Sequence, residues 1–220
     1  MDILLNDIEA RILGCLIEKE ITTPDYYPLT LNALTSACNQ KSNRSPIVSY
    51  EETTVVRGLD SLREKGLVEK IYKADSRVPK YQHSFPQKFN LPSDSVAVMC
   101  ELMLRGPQTV GEIRNRADRM HKFSGLQEVE EILTRLAEKE PPMVVKLPRQ
   151  AGRKEPRFAH LLSGMPEIGE EEPAISEEAA TLRVRADNER IAKLEEEMAI
   201  LRGEFDKLKE EFNGLKSQFE

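Results

Sequence analysis

The sequence predicts a mainly α protein with small β-hairpins (α+β), built from two like units and a long C-terminal helix. Three observations predict it. Residues 49–85, SYEETTVVRGLDSLREKGLVEKIYKADSRVPKYQHSF, carry a helical apolar stripe that runs straight into a hairpin pattern. The same order of caps, helices and hairpin returns after about 75 residues, a domain-sized repeat. There Leu133-x-x-Leu136-x-Glu138-Lys139 answers Leu59-x-x-Leu62-x-Glu64-Lys65, and Arg157-Phe158-Ala159-His160 answers Lys80-Tyr81-Gln82-His83. Finally, residues 184–219 keep a 3-4 heptad spacing that is apolar at every core position but Asp187. A helix-turn-helix followed by a hairpin is a winged helix. The expected organisation is therefore winged-helix units at 1–90 and 91–165, an acidic linker at 166–175 and a coiled-coil helix at 176–220.

Each element has a local reason. Asn6 with Glu9 is a cap-and-return pair opening a helix whose face is Ile8, Ile12, Leu13, Leu16 and Ile17, ending near Glu20. Pro24 and Pro28 break it. Thr30 starts a short helix with Leu31, Leu34 and Cys38 on one side. Ser49 with Glu52 reads as a capping box for the third helix, which carries Val55, Leu59 and Leu62 and stops at Gly66. Strand 67–72, a polar loop and a return strand with Tyr81, His83 and Phe85 alternating inward complete the unit. In the second unit, Val96, Met99, Cys100 and Met103 mark a helix that Gly106-Pro107 ends. Thr109 with Glu112 caps the next helix, and Ser124 with Gln127 the third, which carries Val129, Ile132, Leu133 and Leu136. Strands 143–147 and 157–162 close it.

Composition narrows the class. The net charge is −6 at pH 7, but residues 1–90 are balanced, residues 91–165 carry +2 and residues 166–220 carry −8. Nucleic-acid binding must then rest on local clusters. No apolar run reaches the roughly 20 residues of a membrane span, and the N-terminus lacks a signal-peptide pattern, so the cytoplasm is the expected location. Cys15, Cys38 and Cys100 form no CxxC pair and read as buried reduced thiols. No nucleophile elbow, phosphate loop, HExxH or dinucleotide fingerprint occurs, so neither an enzyme, a cofactor nor a metal is expected. His83 and His160, at matching places on matching strands, read as repeated core histidines.

The candidate DNA surface of the first unit is Lys41, Asn43 and Arg44 in the loop before its third helix, and Thr53, Thr54 and Arg57 on that helix. Lys73, Arg77 and Lys80 add charge on the wing. Glu51 and Glu52 oppose this reading at the helix start. The second unit offers Glu128, Glu131 and Glu138 on its third helix, with Arg135 alone against them. Its basic residues, Arg114, Arg116, Arg119, Lys122, Arg149, Arg153, Lys154 and Arg157, form a secondary surface for a polyanion, an acidic protein or the chain's own linker. Two functions follow: a DNA-binding protein of transcriptional-regulator type, or a non-enzymatic scaffold whose tandem winged helices bind protein.

The tail predicts self-association. Ile191, Met198, Phe205 and Phe212 fill one core position, and Leu194, Leu201, Leu208 and Leu215 the other. In a parallel pair the flanking contacts are Arg190 with Glu195, Glu197 with Arg202, Glu204 with Lys209 and Glu211 with Lys216. All four are opposite in sign, which selects a parallel homo-oligomer, a dimer first.

Several segments, TPDYYPLTLNAL at 23–34, ACNQKSNR at 37–44, RGPQT at 105–109, RADRMH at 116–121 and LPRQAGRKE at 147–155, resemble the bacterial YceH-like family, also called DUF480 or UPF0502. The resemblance covers roughly residues 3–165. It implies tandem winged helices and a DNA-binding relationship, and carries no established activity or functional residue.

Overall fold

A computed structural model describes residues 3–72, 78–149 and 155–166. Lys73, Arg77, Arg153, Lys154, the linker expected at 166–175 past its first residue and the coiled-coil helix expected at 176–220 lie outside the described residues. Residues up to Pro166 belong to one compact unit. Its fold is mixed α and β, with seven α-helices and small antiparallel sheets among the described residues.

Helix α1 (Asp7–Thr22) begins as expected, with Asn6 accepting from Glu9 N at 2.9 Å and Glu9 returning to Asn6 N at 2.8 Å. Both orphan amides of the first turn gain a partner this way. Pro24–Tyr26 forms a single 3-10 turn, and β1 (Leu29–Thr30) follows. Thr30 then caps α2 (Leu31–Cys38) through Ala33 N. Helix α3 (Glu52–Glu64) starts later than the Ser49 box requires. Its N-cap is Glu51, and no side chain caps it. The cause is upstream: the Asn39 side chain donates to Tyr50 O at 2.9 Å and accepts from Tyr50 N at 2.7 Å, which holds Tyr50 outside the helix. Gly66 ends the helix at φ 67°, the left-handed turn that glycine adopts without strain.

Strands β2 (Val68–Ile71) and β3 (Lys80–His83) pair antiparallel, and β1 adds to the far side of β3, giving the order β1-β3-β2. Tyr81 and His83 point inward, but Phe85 is not on the strand. It opens a one-turn helix, α4 (Phe85–Phe89), whose two phenylalanine rings lie 5.1 Å apart.

The second half repeats this plan. Helix α5 (Ser93–Arg105) ends at Gly106, and α6 (Val110–Ala117) carries the full Thr109–Glu112 capping box. Helix α7 (Leu126–Ala137) starts after an extended Gly125, because Ser124 gives its N–H and hydroxyl to Glu128 rather than capping the helix. Strands β4 (Val144–Lys146) and β5 (Phe158–His160) are shorter than the sequence predicts. On the free side of β5, Gln108 and Phe158 exchange backbone hydrogen bonds of 3.0 and 2.7 Å. That bridge stands where β1 stands in the first half, each just before the threonine that caps the next helix.

One apolar cluster runs through both halves, from Leu13 and Leu16 of α1 to Met99, Leu102 and Leu133. Helices α1 and α5 touch at Gly14. Cys100 Sγ donates to Gly14 O at 3.3 Å, and a Cβ on Gly14 would lie 2.9 Å from Leu104 Cδ2. All three cysteines are buried and unlinked. No helix among the described residues is long and apolar enough to cross a membrane.

Candidate nucleic-acid interface

In the first half, the hairpin β2–β3 stands beside α3, and the loop after α2 leads to it. Val55, Leu59 and Leu62 turn one face of α3 into the core. That choice leaves Thr53 and Arg57 exposed, with Thr54 at the edge. Lys41 is exposed in the loop, and Lys80, opposite Ile71 on the hairpin, is half-buried. Arg57 and Lys41 make no ion pair among the described residues. Glu51 and Glu52 remain exposed at the start of the same helix.

Arg44 is not part of this surface. Its side chain has no exposure and lies 2.5 Å from Glu18 Oε2 and 3.0 Å from Glu18 Oε1, a bidentate pair. Its remaining N–H groups go to Ala37 O, Asn43 O and Gln40. A phosphate cannot reach it. Asn43 sits at φ 59° and accepts a hydrogen bond from Arg105, so it too serves the fold.

The secondary basic surface is mostly engaged within the chain. Arg116 reaches Gln108 at 2.8 Å and Glu112 at 3.4 Å. Arg157 donates to Pro107 O at 2.5 Å and pairs with Glu112 at 3.3 Å. Lys122 pairs with Asp118 at 2.5 Å, and Arg114 donates to Asn115 at 3.3 Å. Arg119 crosses between the halves to Glu18. Arg149 is exposed on the second hairpin. Arg116 and Lys122 each find a carboxylate four residues earlier on the chain, whereas Arg119 is claimed by one 101 positions away.

Glu18 and Glu101, both fully buried, are the residues the sequence reading missed. Burial works against a charged Glu18. The hydrogen bonds and charges of Arg44 and Arg119 outweigh it and hold the carboxyl below the usual range. For Glu101 burial wins and raises the carboxyl, although Arg105 Nε lies 2.8 Å away and Arg119 3.9 Å. A carboxylate inside the apolar run VAVMCELML was the one visible signal for Glu101. The histidines differ. His83 is buried, accepts from Phe85 N at 3.3 Å and faces Glu20 at 2.9 Å. His160 Nδ1 has no hydrogen-bond partner, and burial pushes its ring down to about 4.

The geometry thus defines a class: an α+β protein of two like halves, each setting a helix face beside a hairpin, with a buried ionic cluster between them. The chain matches the model of the family described as "Protein of unknown function, DUF480" over residues 5–153, and it belongs to that family. A UPF0502 protein of Geobacter sulfurreducens is 58% identical over 173 residues, covering 78% of each chain. One from Geotalea uraniireducens is also 58% identical over 173 residues, with 78% of each chain covered. A UPF0502 protein of Opitutus terrae is 54% identical over 172 residues, covering 78% of this chain and 75% of its own.

Proposed function

We propose that each half is a winged helix, that the first half binds duplex DNA through α3, and that the protein is a homo-oligomeric regulator of transcription. The observation that carries this is the hairpin beside α3 in the order β1-β3-β2, with Lys41 exposed in the loop before α3 and Thr53 and Arg57 exposed on α3 itself. An α-helix fits the major groove, and a hairpin beside it meets the flanking phosphates. Fluorescence anisotropy with duplex fragments at low salt tests it. Each lost phosphate contact lowers the salt slope by about 0.9. A lost base contact costs about 1–3 kcal/mol and relaxes sequence preference. Lys41→Ala with Arg57→Ala should weaken binding, and Glu51→Gln with Glu52→Gln should strengthen it. Parent-like affinity in the first double variant would sink the proposal.

Self-association rests on the sequence of residues 184–219 alone. Light scattering of the full chain should give a dimer, and a chain ending at residue 176 a monomer. A cysteine substitution at Lys216 should crosslink to its twin. A full-length monomer at tens of micromolar is the outcome that refutes this.

A further inference from the structure

In the second half, the space between helix and hairpin is a groove of about 460 Å³. That lies within the range of about 300–1,000 Å³ typical of binding pockets. Val110 from the first turn of α6 and Phe158 from β5 line it, half-buried at the rim of the core. Leu126, the first residue of α7, also lines it with 53% of its surface in water.

Of the charged residues that line the groove, two are carboxylates and one is an ammonium. Glu130 on α7 and Glu155 beside β5 line it, both exposed and without an ion pair among the described residues. Glu131 on α7 and Glu138 just past its end are also exposed. Arg135, which would offset them, is drawn away to Asp94 at 2.7 Å. The groove's own cation, Lys146, has its ammonium 5.9 Å from the centre of the Phe158 ring. An aromatic face at the rim therefore already meets one lysine, a contact that a partner's lysine can reproduce.

We propose that this groove is a docking site for a protein segment that combines basic and aliphatic side chains. The aliphatic groups would cover Leu126, Val110 and Phe158; the basic groups would meet Glu130 and Glu155. Charge complementarity selects this occupant. Phosphates would be repelled by the same carboxylates. The chain's own residues 166–220, with 16 acidic against 8 basic side chains, match the groove in sign and are repelled as well. The halves would then share an architecture and divide the work, and this division does not require that the first half bind DNA.

The test uses the full chain and three fluorescein-labelled peptides. One alternates lysine and leucine, one replaces each leucine by serine, and one replaces each lysine by glutamate. Saturable binding of the lysine–leucine peptide is expected, with weaker binding of the serine peptide and none of the glutamate peptide. Glu130→Lys with Glu155→Lys, both on exposed positions, should weaken it about twofold or more, since two exposed attractions become repulsions. Leu126→Ser should weaken it too, whereas Arg57→Ala should leave it unchanged. No binding, equal binding of the serine peptide, indifference to the groove variants or displacement by duplex DNA would each overturn the proposal.

Discussion

Replacing Arg44 by methionine removes the positive half of a pair with no exposed side-chain surface on the arginine and 1% on Glu18. The buried carboxylate would keep as charged partners Arg119, itself 31% exposed, and Lys19 at 3.9 Å. Breaking one side of such a pair costs about 3–5 kcal/mol, because the remaining charge is left in a medium that solvates it poorly. Glu18→Met alone strands the guanidinium in the same way. Glu18→Met with Arg44→Met strands neither, so the double variant should be more stable than the sum of the singles by about 2 kcal/mol or more. Urea unfolding at pH 7, followed by far-ultraviolet circular dichroism, gives all four stabilities. The dependence on pH has a fixed sign. Glu18 is depressed in the folded state, so its contribution is present above the unfolded carboxyl value and is lost as pH falls below it. The gap between the parent and Arg44→Met should therefore narrow in acid. An Arg44→Met protein within about 1 kcal/mol of the parent at pH 7, or strictly additive singles, would refute the reasoning.

Two further outcomes follow from single positions. A Cβ on Gly58 would lie 2.5 Å from Ile12 Cδ1 and 3.2 Å from Ile8 Cγ2, between α3 and α1. Gly58→Ala should cost about 1–3 kcal/mol by overpacking, and Ile12→Val in the same chain, which deletes the crowded methyl, should recover part of it in a thermal melt. His160 is held neutral in the folded state, down to about 4 against an ordinary 6.5. Its contribution is complete above the unfolded value and falls as pH drops from 6.5 toward 4, by at most about 3 kcal/mol. His160→Gln should flatten the stability profile across that interval, and an unchanged profile counts against the assignment.

What was legible in the sequence was local. Asn6 with Glu9, Thr30, and Thr109 with Glu112 cap their helices within three residues, and Gly66 and Gly106 end theirs through their own backbone angles. The Ser49 box failed because Asn39 fixes Tyr50 from across a loop, and nothing near Ser49 announces that. Strand β1 is two residues long and exists only because β3 is there to pair with it. The site was less legible than the fold for the same reason. Thr53 and Arg57 are exposed, as the helical period requires, and Lys41 is exposed in its loop. Arg44 looks identical to them in a basic loop, and only a carboxylate 26 positions earlier turns it inward. Arg119 finds that same carboxylate from 101 positions away.

Helix α5 bears on how this protein can be taken apart. Every residue from Ser95 to Leu104 is buried, so no side of those turns meets water. A helix enclosed all round is the middle of a core and not its boundary. A fragment ending near Asn90 would lay open the flank of α1 around Gly14, and one beginning there would carry a naked apolar rod of three turns. Dissection by sequence repeat would yield two adhesive pieces, each soluble only in the company of the other. The smallest portion that keeps its interior dry ends near Pro166, and binding measured on either half alone would report on exposed core.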